Sequence, residues 1–490
     1  MRSLPLLAAL FGAAPVLAQT ATLVDSVIEQ VERSTALEDD LRALCDEIGP
    51  RLAGSEASRR AEEWALGRLE DAGVDRAWLE PFETPLTWAE GETRAEVLAP
   101  VAFEAQAVST AWSPATRKRG IVAEVLRAGD GSAHRIRRLG KKAAGKILLI
   151  ELDETDTFHA LGVEQRDAII AMRTAAEVDA AAVIYASTRP NRLLYRHVNT
   201  VSGELDLLPS AVLAREDALR IARLLEDGAK VKMRLSLPNA IGGPGEGRNV
   251  LAEIRGGEKA DEIVLLGAHL DSWDLGTGCL DNAVNVALTI EVARSIVAAG
   301  VTPKRTLRFA LFGAEESGLI GSLAYVRAHR EELDGYAAVV VHDMGLGPIE
   351  GYSLGGRAEL EEPLREALAP VARLAGSRHT TEAFFGSDHF DFLLEGVPAI
   401  IAMQETGDYA RGYHSAADTF DKVDLRALSE RTRFAAGAVL GLAEAPERLG
   451  KRLNRDEVER LLDRTRIDEQ MRFLDLWDQW LSGERGRAAE

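Results

Sequence analysis

Residues of types that commonly bind metal ions follow four apolar segments in the second half of this chain. They are two histidines and three carboxylates: His269, Asp281, Glu316, Asp343 and His414. Imidazole and carboxylate groups without a thiolate form a ligand set that suits zinc. Five side chains exceed what one tetrahedral catalytic ion needs beside an open water position. They suit two ions about 3.5–4 Å apart, provided that one carboxylate bridges the pair.

Two acidic neighbours of these residues are predicted to act without binding metal directly. Glu315 precedes the ligand Glu316 and is free to act as general base toward a metal-activated water, whose pKa the ion lowers to about 7. Asp271 lies two residues beyond His269. On an extended segment the two side chains point the same way, so Asp271 is predicted to orient the imidazole.

Each of these residues, taken alone, has a simpler structural explanation. Asp281 suits the N-cap of a helix that runs to Ala299, and the Glu315–Glu316 pair suits the first turn of a helix over residues 317–333. A histidine after a strand is more often hydrogen-bonded than metal-bound. These explanations do not account for suitable ligands at every strand end of one domain, and we therefore favour the metal site.

The elements that must position these groups form an alternating pattern from Asn249 to about Ala443. Four apolar runs, at residues 263–268, 307–312, 337–341 and 398–403, are typical of buried parallel strands, and helical patterns separate them. This alternation predicts an α/β fold with a mostly parallel sheet. Because ligands bind beyond the carboxyl ends of such strands, we expect the metal-binding side chains to gather at one edge.

The remaining sequence predicts several domains, since 490 residues exceed what one hydrophobic core usually serves. Residues 23–98 have a mainly helical pattern, whereas shorter strands and helices alternate between 111 and 238. A glycine- and proline-rich loop at 239–247 marks a boundary. A charged helical tail at 452–483 either docks on the parent domain, which we favour, or pairs two subunits in a homodimer. The predicted divisions are 1–18, 19–110, 111–240, 241–447 and 448–490.

Composition excludes several classes of protein. An apolar fraction of 46% and a charged fraction of 28% are those of a globular chain rather than a disordered one. The net charge is −20, which disfavours binding to nucleic acid. Two cysteines cannot form a disulfide scaffold, and the sequence leaves open whether Cys45 and Cys279 pair.

The first eighteen residues have the pattern of a secretory signal peptide. Arg2 is followed by an uncharged apolar run from Leu4 to Leu17, and small residues precede a cleavage position after Ala18. The run is short for a bilayer span, so a stable membrane anchor is not expected. The mature chain is predicted to be secreted or periplasmic.

Order and spacing of these residues resemble a known family. The segments are GAHLDS at 267–272, LDN at 280–282, AEE at 314–316, Asp343, and YHS at 413–415 with Asp418 and Thr419. Together they resemble metallopeptidase family twenty-eight, and the run GAHLDSWDLGTG is most similar to its carboxypeptidase Q branch. The resemblance implies a phosphorylase/hydrolase-like zinc-exopeptidase fold, in which helices flank a mixed, mostly parallel sheet. It also implies a protease-associated-like insert at 111–240 and two zinc ions per chain.

The resemblance also implies a role for each site residue. His269, Asp281 and Asp343 would bind one ion, while Asp281, Glu316 and His414 would bind the other, with Asp281 bridging. Tyr413 matches a tyrosine that stabilises the tetrahedral oxyanion in some members. Asp388 would contact the metal-binding residues without binding an ion itself.

The predicted function is therefore that of an exported zinc exopeptidase acting on short peptides or dipeptides. The sequence does not decide whether the N- or the C-terminal residue is released. One alternative is a glutaminyl cyclase-like acyltransferase, which would use a single zinc ion. The other is a non-catalytic binding protein of the transferrin-receptor type, which would have lost metal ligands that this chain retains.

Overall fold

Two β-sheets organise the molecule. The computed structural model describes residues 8–345, 347–374, 378–407 and 409–488, without the side chains of residues 8–18. The first sheet has seven strands in the order β1-β12-β14-β13-β15-β17-β16. Its strands are β1 Arg76–Thr84, β12 Gly245–Ile254, β13 Lys259–His269, β14 Arg305–Phe312, β15 Tyr336–Val341, β16 Ile349–Ser353 and β17 Ala399–Gln404.

The four predicted parallel strands are neighbours in this sheet. Strands β14, β13, β15 and β17 pair in parallel, and antiparallel strands β12 and β16 flank them on either side. Their sequences are almost continuously apolar because helices cover both faces of the sheet. The prediction of a mixed, mostly parallel sheet flanked by helices is confirmed.

Helices pack on both faces of this sheet, while α4, α5 and α6 pack on the second sheet. Alternate strand residues point to opposite faces. One set, with Val264, Leu266 and Val340, joins the large core, and the other, with Leu265 and Val341, packs against the opposite layer. The helices are α1 Ala8–Arg33, α2 Ala36–Arg42, α3 Glu56–Asp71, α4 Ala133–Leu139, α5 Phe158–Glu177, α6 Arg215–Glu226, α7 Val284–Ala298, α8 Ile320–Ala328, α9 Glu361–Ala367, α10 His389–Leu394, α11 Tyr409–Gly412, α12 Leu425–Glu444, α13 Arg455–Thr465, α14 Ile467–Phe473 and α15 Trp477–Ser482.

The second sheet lies within the chain between β1 and β12, which pair with each other in the first sheet. It has eight strands in the order β4-β3-β10-β6-β7-β8-β9-β5. They are β3 Arg94–Ala99, β4 Phe103–Ala105, β5 Ala107–Ser109, β6 Ile121–Gly129, β7 Ile147–Ile150, β8 Ala182–Ala186, β9 Ser210–Leu213 and β10 Lys232–Ser236. A two-stranded sheet joins β2 Trp88–Ala89 to β11 Ala240–Ile241.

Strand pairing in the second sheet starts earlier than the predicted insert. The insert was expected from residue 111, whereas β3 begins at Arg94 because it pairs with β10 near the end of the segment. The stretch predicted as mainly helical up to residue 98 likewise contains β1 and β3 after its three helices. β1 pairs with β12 and β3 with β10, both more than 130 residues away, while β3 also pairs with the nearby β4.

Two predicted helices begin later than expected. Asp281 is not an N-cap: it lies in an irregular turn, Cys279–Ala283, in which Asp281 and Asn282 have non-helical backbone angles, and α7 follows with Ala283 at its N-cap. The helix expected over 317–333 covers only Ile320–Ala328, because Gly318 and Leu319 have φ angles of +113° and +61° and interrupt helical geometry. Both changes leave irregular backbone where the candidate ligands lie.

The beginning of the chain is only partly described. Residues 1–7 of the predicted signal peptide lie outside the described residues, and for 8–18 the structure gives only the helical backbone of α1. Further along α1, Val24, Val27 and Val31 pack into the large core. Among the described residues, no helix combines the length and the apolar character that a bilayer crossing requires.

The C-terminal tail docks on the parent fold as three short helices. Breaks at Arg466 and Asp475, both with φ of +60°, separate α13, α14 and α15. The apolar tail residues join one buried cluster with side chains of α5 and α10, namely Ile169, Phe390, Leu393, Leu394, Val458, Leu461, Leu462, Met471 and Trp480. The structure thus shows the docked arrangement that we favoured.

We expect Trp480→Ala to lower the free energy of unfolding by about 3–5 kcal/mol, the usual cost of removing a buried aromatic side chain. Trp480 is fully buried in the docking cluster. Urea unfolding followed by circular dichroism measures the change. Leu481→Ala is the matched control, because its side chain is 55% exposed and its loss should cost less than about 0.5 kcal/mol. Equal effects of the two substitutions would contradict the docking role.

Candidate metal centre

The five predicted ligands converge into two groups that share one carboxylate. His269 Nε2 lies 3.1 Å from both Asp281 Oδ1 and Asp343 Oδ1. His414 Nε2 lies 2.9 Å from Glu316 Oε2 and 3.5 Å from Asp281 Oδ2. Within each group the potential ligand atoms lie within 4.8 Å of one another. Asp281 therefore presents one oxygen to each group, as a bridging carboxylate would.

The sheet explains this convergence. His269 is the last residue of β13, Glu316 follows the end of β14, and Asp343 follows the end of β15. His414 follows β17 after a loop and α11. These four strands are parallel neighbours, so all their carboxyl ends face the same edge.

The turn that carries Asp281 is fixed by its own partners. The main-chain N–H groups of Leu280 and Asp281 donate to the Asp418 carboxylate at 2.6 and 3.2 Å. The Asp281–Asn282 peptide bond is cis. Asp418, which belongs to the YHS segment in sequence, thus contributes to the site by holding the shared ligand.

Acidic groups dominate the electrostatics of the site. Burial raises the pKa of Glu316 to about 7, and it raises the pKa of Glu315 well above the usual value, with Asp343 and Glu316 adding to the effect. Burial alone would lower the pKa of His414, but Glu316 and Asp281 outweigh it and raise that pKa to about 9.

These groups fit a metal site. The ligand side chains are only 1–12% exposed, and Glu316 Oε1 has no hydrogen-bond partner within the described part of the chain. Buried carboxylates at this density are costly unless cations neutralise them. Two histidines and three carboxylates, arranged as two groups of three with one shared member, match the ligand number and type of a two-zinc site.

Asp271 is placed differently from the prediction. The nearest partner of His269 Nδ1 is the main-chain oxygen of Asp271 at 3.1 Å, while the Asp271 carboxylate is 3.7 Å away. That carboxylate instead accepts hydrogen bonds from the main-chain N–H groups of Glu315 and Glu316 at 3.0 and 3.3 Å. Asp271 therefore holds the turn that carries the predicted general base.

Tyr413 lies against the second ligand group. Its ring stacks on His414 with centroids 3.6 Å apart. Burial raises the pKa of the Tyr413 hydroxyl well above its usual value, and the nearby carboxylates of Glu316 and Asp281 reinforce this effect. The phenol consequently stays protonated and can donate a hydrogen bond.

The second-sheet segment and Arg51 contribute contacts that the sequence did not indicate. The main-chain N–H of Arg196 donates to the oxygen of His414 at 2.7 Å, and Tyr195 forms a β-bridge with Ser415. Arg51, near the N-terminal end of the described chain, donates from its guanidinium to main-chain oxygens of the segment 270–278. Because these partners lie about 220 residues apart, no local sequence pattern predicts their contacts.

Asp388 and the two cysteines also lie near the site. Asp388 is fully buried, and neither carboxylate oxygen has a hydrogen-bond partner among the described residues. Burial raises its pKa well above the usual value. Cys45 and Cys279 are both buried, with sulfur atoms 2.6 Å apart, so the fold brings together the pair that the sequence left open.

Comparisons with known proteins agree with this arrangement. Residues 249–439 match the sequence profile of peptidase family M28. Carboxypeptidase Q of Bos taurus is 28% identical over 386 residues, which cover 78% of this chain and 80% of that protein. The crystal structure of a peptidase M28 precursor from Shewanella amazonensis SB2B has a TM-score of 0.77 and 29% identity, covering 86% of this chain and 96% of that one. A zinc aminopeptidase from Bacillus subtilis shares the fold, with a TM-score of 0.65 at 21% identity over 82% of this chain and 93% of that one.

The fold, the paired ligand groups and these matches define the chain as a metallo-exopeptidase. Residues 249–439 are those of a peptidase family M28 domain, and over most of its length the chain is similar to carboxypeptidase Q.

Proposed function

We propose that the protein is an exported exopeptidase that uses two zinc ions per chain to hydrolyse short peptides or dipeptides. The observation that carries the proposal is the pair of three-ligand groups joined by Asp281. A glutaminyl cyclase with one ion would need only one such group. Retention of every ligand also disfavours a binding protein that has lost metal. Zinc as the metal is supported by the ligand types and by the zinc aminopeptidase of the same fold.

Zinc ions bound at these groups would supply Lewis acidity that activates water and polarises the substrate carbonyl. Glu315 takes the proton from the attacking water and delivers it to the leaving amine. Asp271 keeps the Glu315 main chain in place through its hydrogen bonds to the turn. The Tyr413 hydroxyl, which stays protonated beside His414, donates to the oxyanion of the tetrahedral intermediate.

The relatives that align over most of this chain favour release of the C-terminal residue. Carboxypeptidase Q of Bos taurus aligns over most of this chain, whereas the zinc aminopeptidase of Bacillus subtilis shows likeness of fold alone. We therefore infer carboxypeptidase Q-like specificity, with export resting on the signal-peptide pattern of residues 1–18.

We expect a chain lacking residues 1–18 to bind two zinc ions and to cleave an unblocked tripeptide of three different residues. Mass spectrometry should detect the C-terminal residue as the first product, and elemental analysis should give the zinc content. Removing zinc with a chelator should abolish turnover, and adding zinc back should restore it. Turnover by verified zinc-free protein would contradict the metal mechanism, whereas early release of the N-terminal residue would assign aminopeptidase specificity instead.

A further inference from the structure

One arginine near the end of the C-terminal tail contacts the turn that carries Glu315. Arg485 lies five residues before the end of the chain, yet it is only 2% exposed. Its Nη2 donates to the main-chain oxygen of Gly318 at 2.9 Å. Its Nε lies 3.1 Å from Asp391 Oδ1 in an ion pair that is buried on both sides. The proposed mechanism assigns no role to this buried cation.

Gly318 belongs to the turn that carries Glu315. The main-chain N–H groups of Gly318 and Leu319 both donate to the Glu315 oxygen at 2.9 Å. Asp271 holds the start of this turn through the N–H groups of Glu315 and Glu316. Arg485 holds its end through the Gly318 oxygen, so two charged side chains from distant parts of the chain fix the turn at both ends.

The second-sheet segment confines the same turn on another side. Gly318 has φ of +113°, and a Cβ atom added there would lie 2.0 Å from the Val201 oxygen. The main chain around Gly318 thus has little room to move toward Val201. The guanidinium of Arg485 adds a side-chain hydrogen bond to the Gly318 oxygen.

Arg485 is itself rigidly held. Its main-chain N–H donates to the Gln479 oxygen at 2.9 Å, and Arg330 Nη2 donates to the oxygens of Gly483 and Gly486, also at 2.9 Å. Asp391 Oδ2 accepts from Ser322 Oγ at 3.2 Å, which links the ion pair to α8. The main chain that carries the Arg485 guanidinium, and the ion-pair partner of that guanidinium, are therefore both held in place.

We propose that Arg485 is a positioning residue for Glu315 and that the tail thereby supports catalysis as well as stability. The proposal rests on the proposed function, since it requires Glu315 to be the general base. Apolar burial around Trp480 docks the tail, whereas Arg485 fixes the Gly318 oxygen. Loss of the guanidinium frees the end of the turn, and a displacement of about 1 Å at a reacting group lowers the rate by about 100-fold.

The test variant must remove the contact to Gly318 without leaving a buried charge unpaired. Arg485→Gln combined with Asp391→Asn neutralises both partners. Arg485→Lys is the second variant, because it keeps the charge but loses the planar fork that reaches two acceptors at once. Arg487→Gln is the matched control: Arg487 donates to the Leu453 oxygen and so supports the same tail segment at a different point.

Zinc content, melting temperature, kcat, KM and the pH dependence of kcat are measured for each variant with the tripeptide substrate. We expect the double variant to keep two zinc ions and a KM within about threefold of wild type, while kcat falls about 10- to 100-fold and the acid limb of the kcat profile shifts. Arg485→Lys should also keep two zinc ions and a similar KM, while its kcat falls about three- to tenfold and its acid limb shifts. Arg487→Gln should lower the melting temperature and leave kcat and the acid limb unchanged.

The proposal is overturned if folded, zinc-loaded Arg485 variants retain the wild-type kcat and acid limb, because Arg485 would then serve stability alone. If the double variant does not fold, the Arg485→Lys result decides by the same criteria. Absence of peptidase activity in the zinc-loaded wild type would instead reject the proposed function, so the two failures are distinguishable.

Discussion

Replacing Glu315 by Gln is expected to lower kcat by roughly 10³-fold while both zinc ions stay bound. The substitution preserves the size of the side chain but removes the group that accepts and returns the proton, and such proton transfer contributes about 10²–10⁴-fold to enzymatic rates. Glu315 contributes to neither ligand group in the structure. Steady-state kinetics together with elemental analysis of zinc therefore separates loss of the base from loss of the metal.

Glu331→Gln is the matched control for this experiment, because Glu331 is exposed and lies outside the site. It should leave both kcat and zinc content unchanged. Turnover by Glu315→Gln at the wild-type rate would refute the general-base assignment. A rate loss accompanied by loss of zinc would show that Glu315 supports metal binding instead.

Replacing Asp281 by Ala is expected to deplete both zinc ions and to lower kcat/KM far more than about 100-fold. Asp281 gives one oxygen to each ligand group, so its removal leaves each group with a single carboxylate and a single imidazole. Catalytic zinc sites usually have three protein ligands. Even the loss of a residue that only hydrogen-bonds to a metal ligand typically lowers metal affinity or activity by about 10–100-fold.

The shared ligand should differ from the unshared ones in zinc stoichiometry. Asp343→Ala and Glu316→Ala each disrupt one group and should each deplete one ion, whereas Asp281→Ala should deplete both. Asp421→Asn is the control, since its side chain is 70% exposed and it should retain two ions. Equal stoichiometry for Asp281→Ala and Asp343→Ala would contradict the bridging role.

The local segments that position the site follow from sequence patterns. Strands buried on both faces must be continuously apolar, and the runs that end at residues 268, 312, 341 and 403 fall within a residue or two of the ends of β13, β14, β15 and β17. A parallel sheet places its carboxyl ends at one edge, so the ligands could be grouped before any distance was known. The structure brings all five of them together, although their metal-binding roles remain predictions that the substitutions above test.

Predictions from sequence patterns were wrong where irregular backbone or contacts between distant residues determine the local structure. The Asp271 carboxylate binds the Glu315–Glu316 turn because left-handed backbone at Ala314, with φ of +56°, aims the following N–H groups toward it. Likewise, the single helix expected after Glu316 is shortened by two left-handed residues. In the second sheet, which starts early at Arg94, β3 pairs with the nearby β4 and also with the distant β10 at residues 232–236.

The sequence by itself determined the fold class, the set of candidate ligands and the candidate base, because these depend on residue type and on periodicity along one segment. Only the tertiary structure decided which side chains support them. The guanidinium groups of Arg51 and Arg485 and the main-chain N–H of Arg196 reach the site from distant parts of the chain. Buried guanidinium groups must find acceptors wherever the packed chain presents them, and that pairing is set by packing in three dimensions rather than by spacing along the chain.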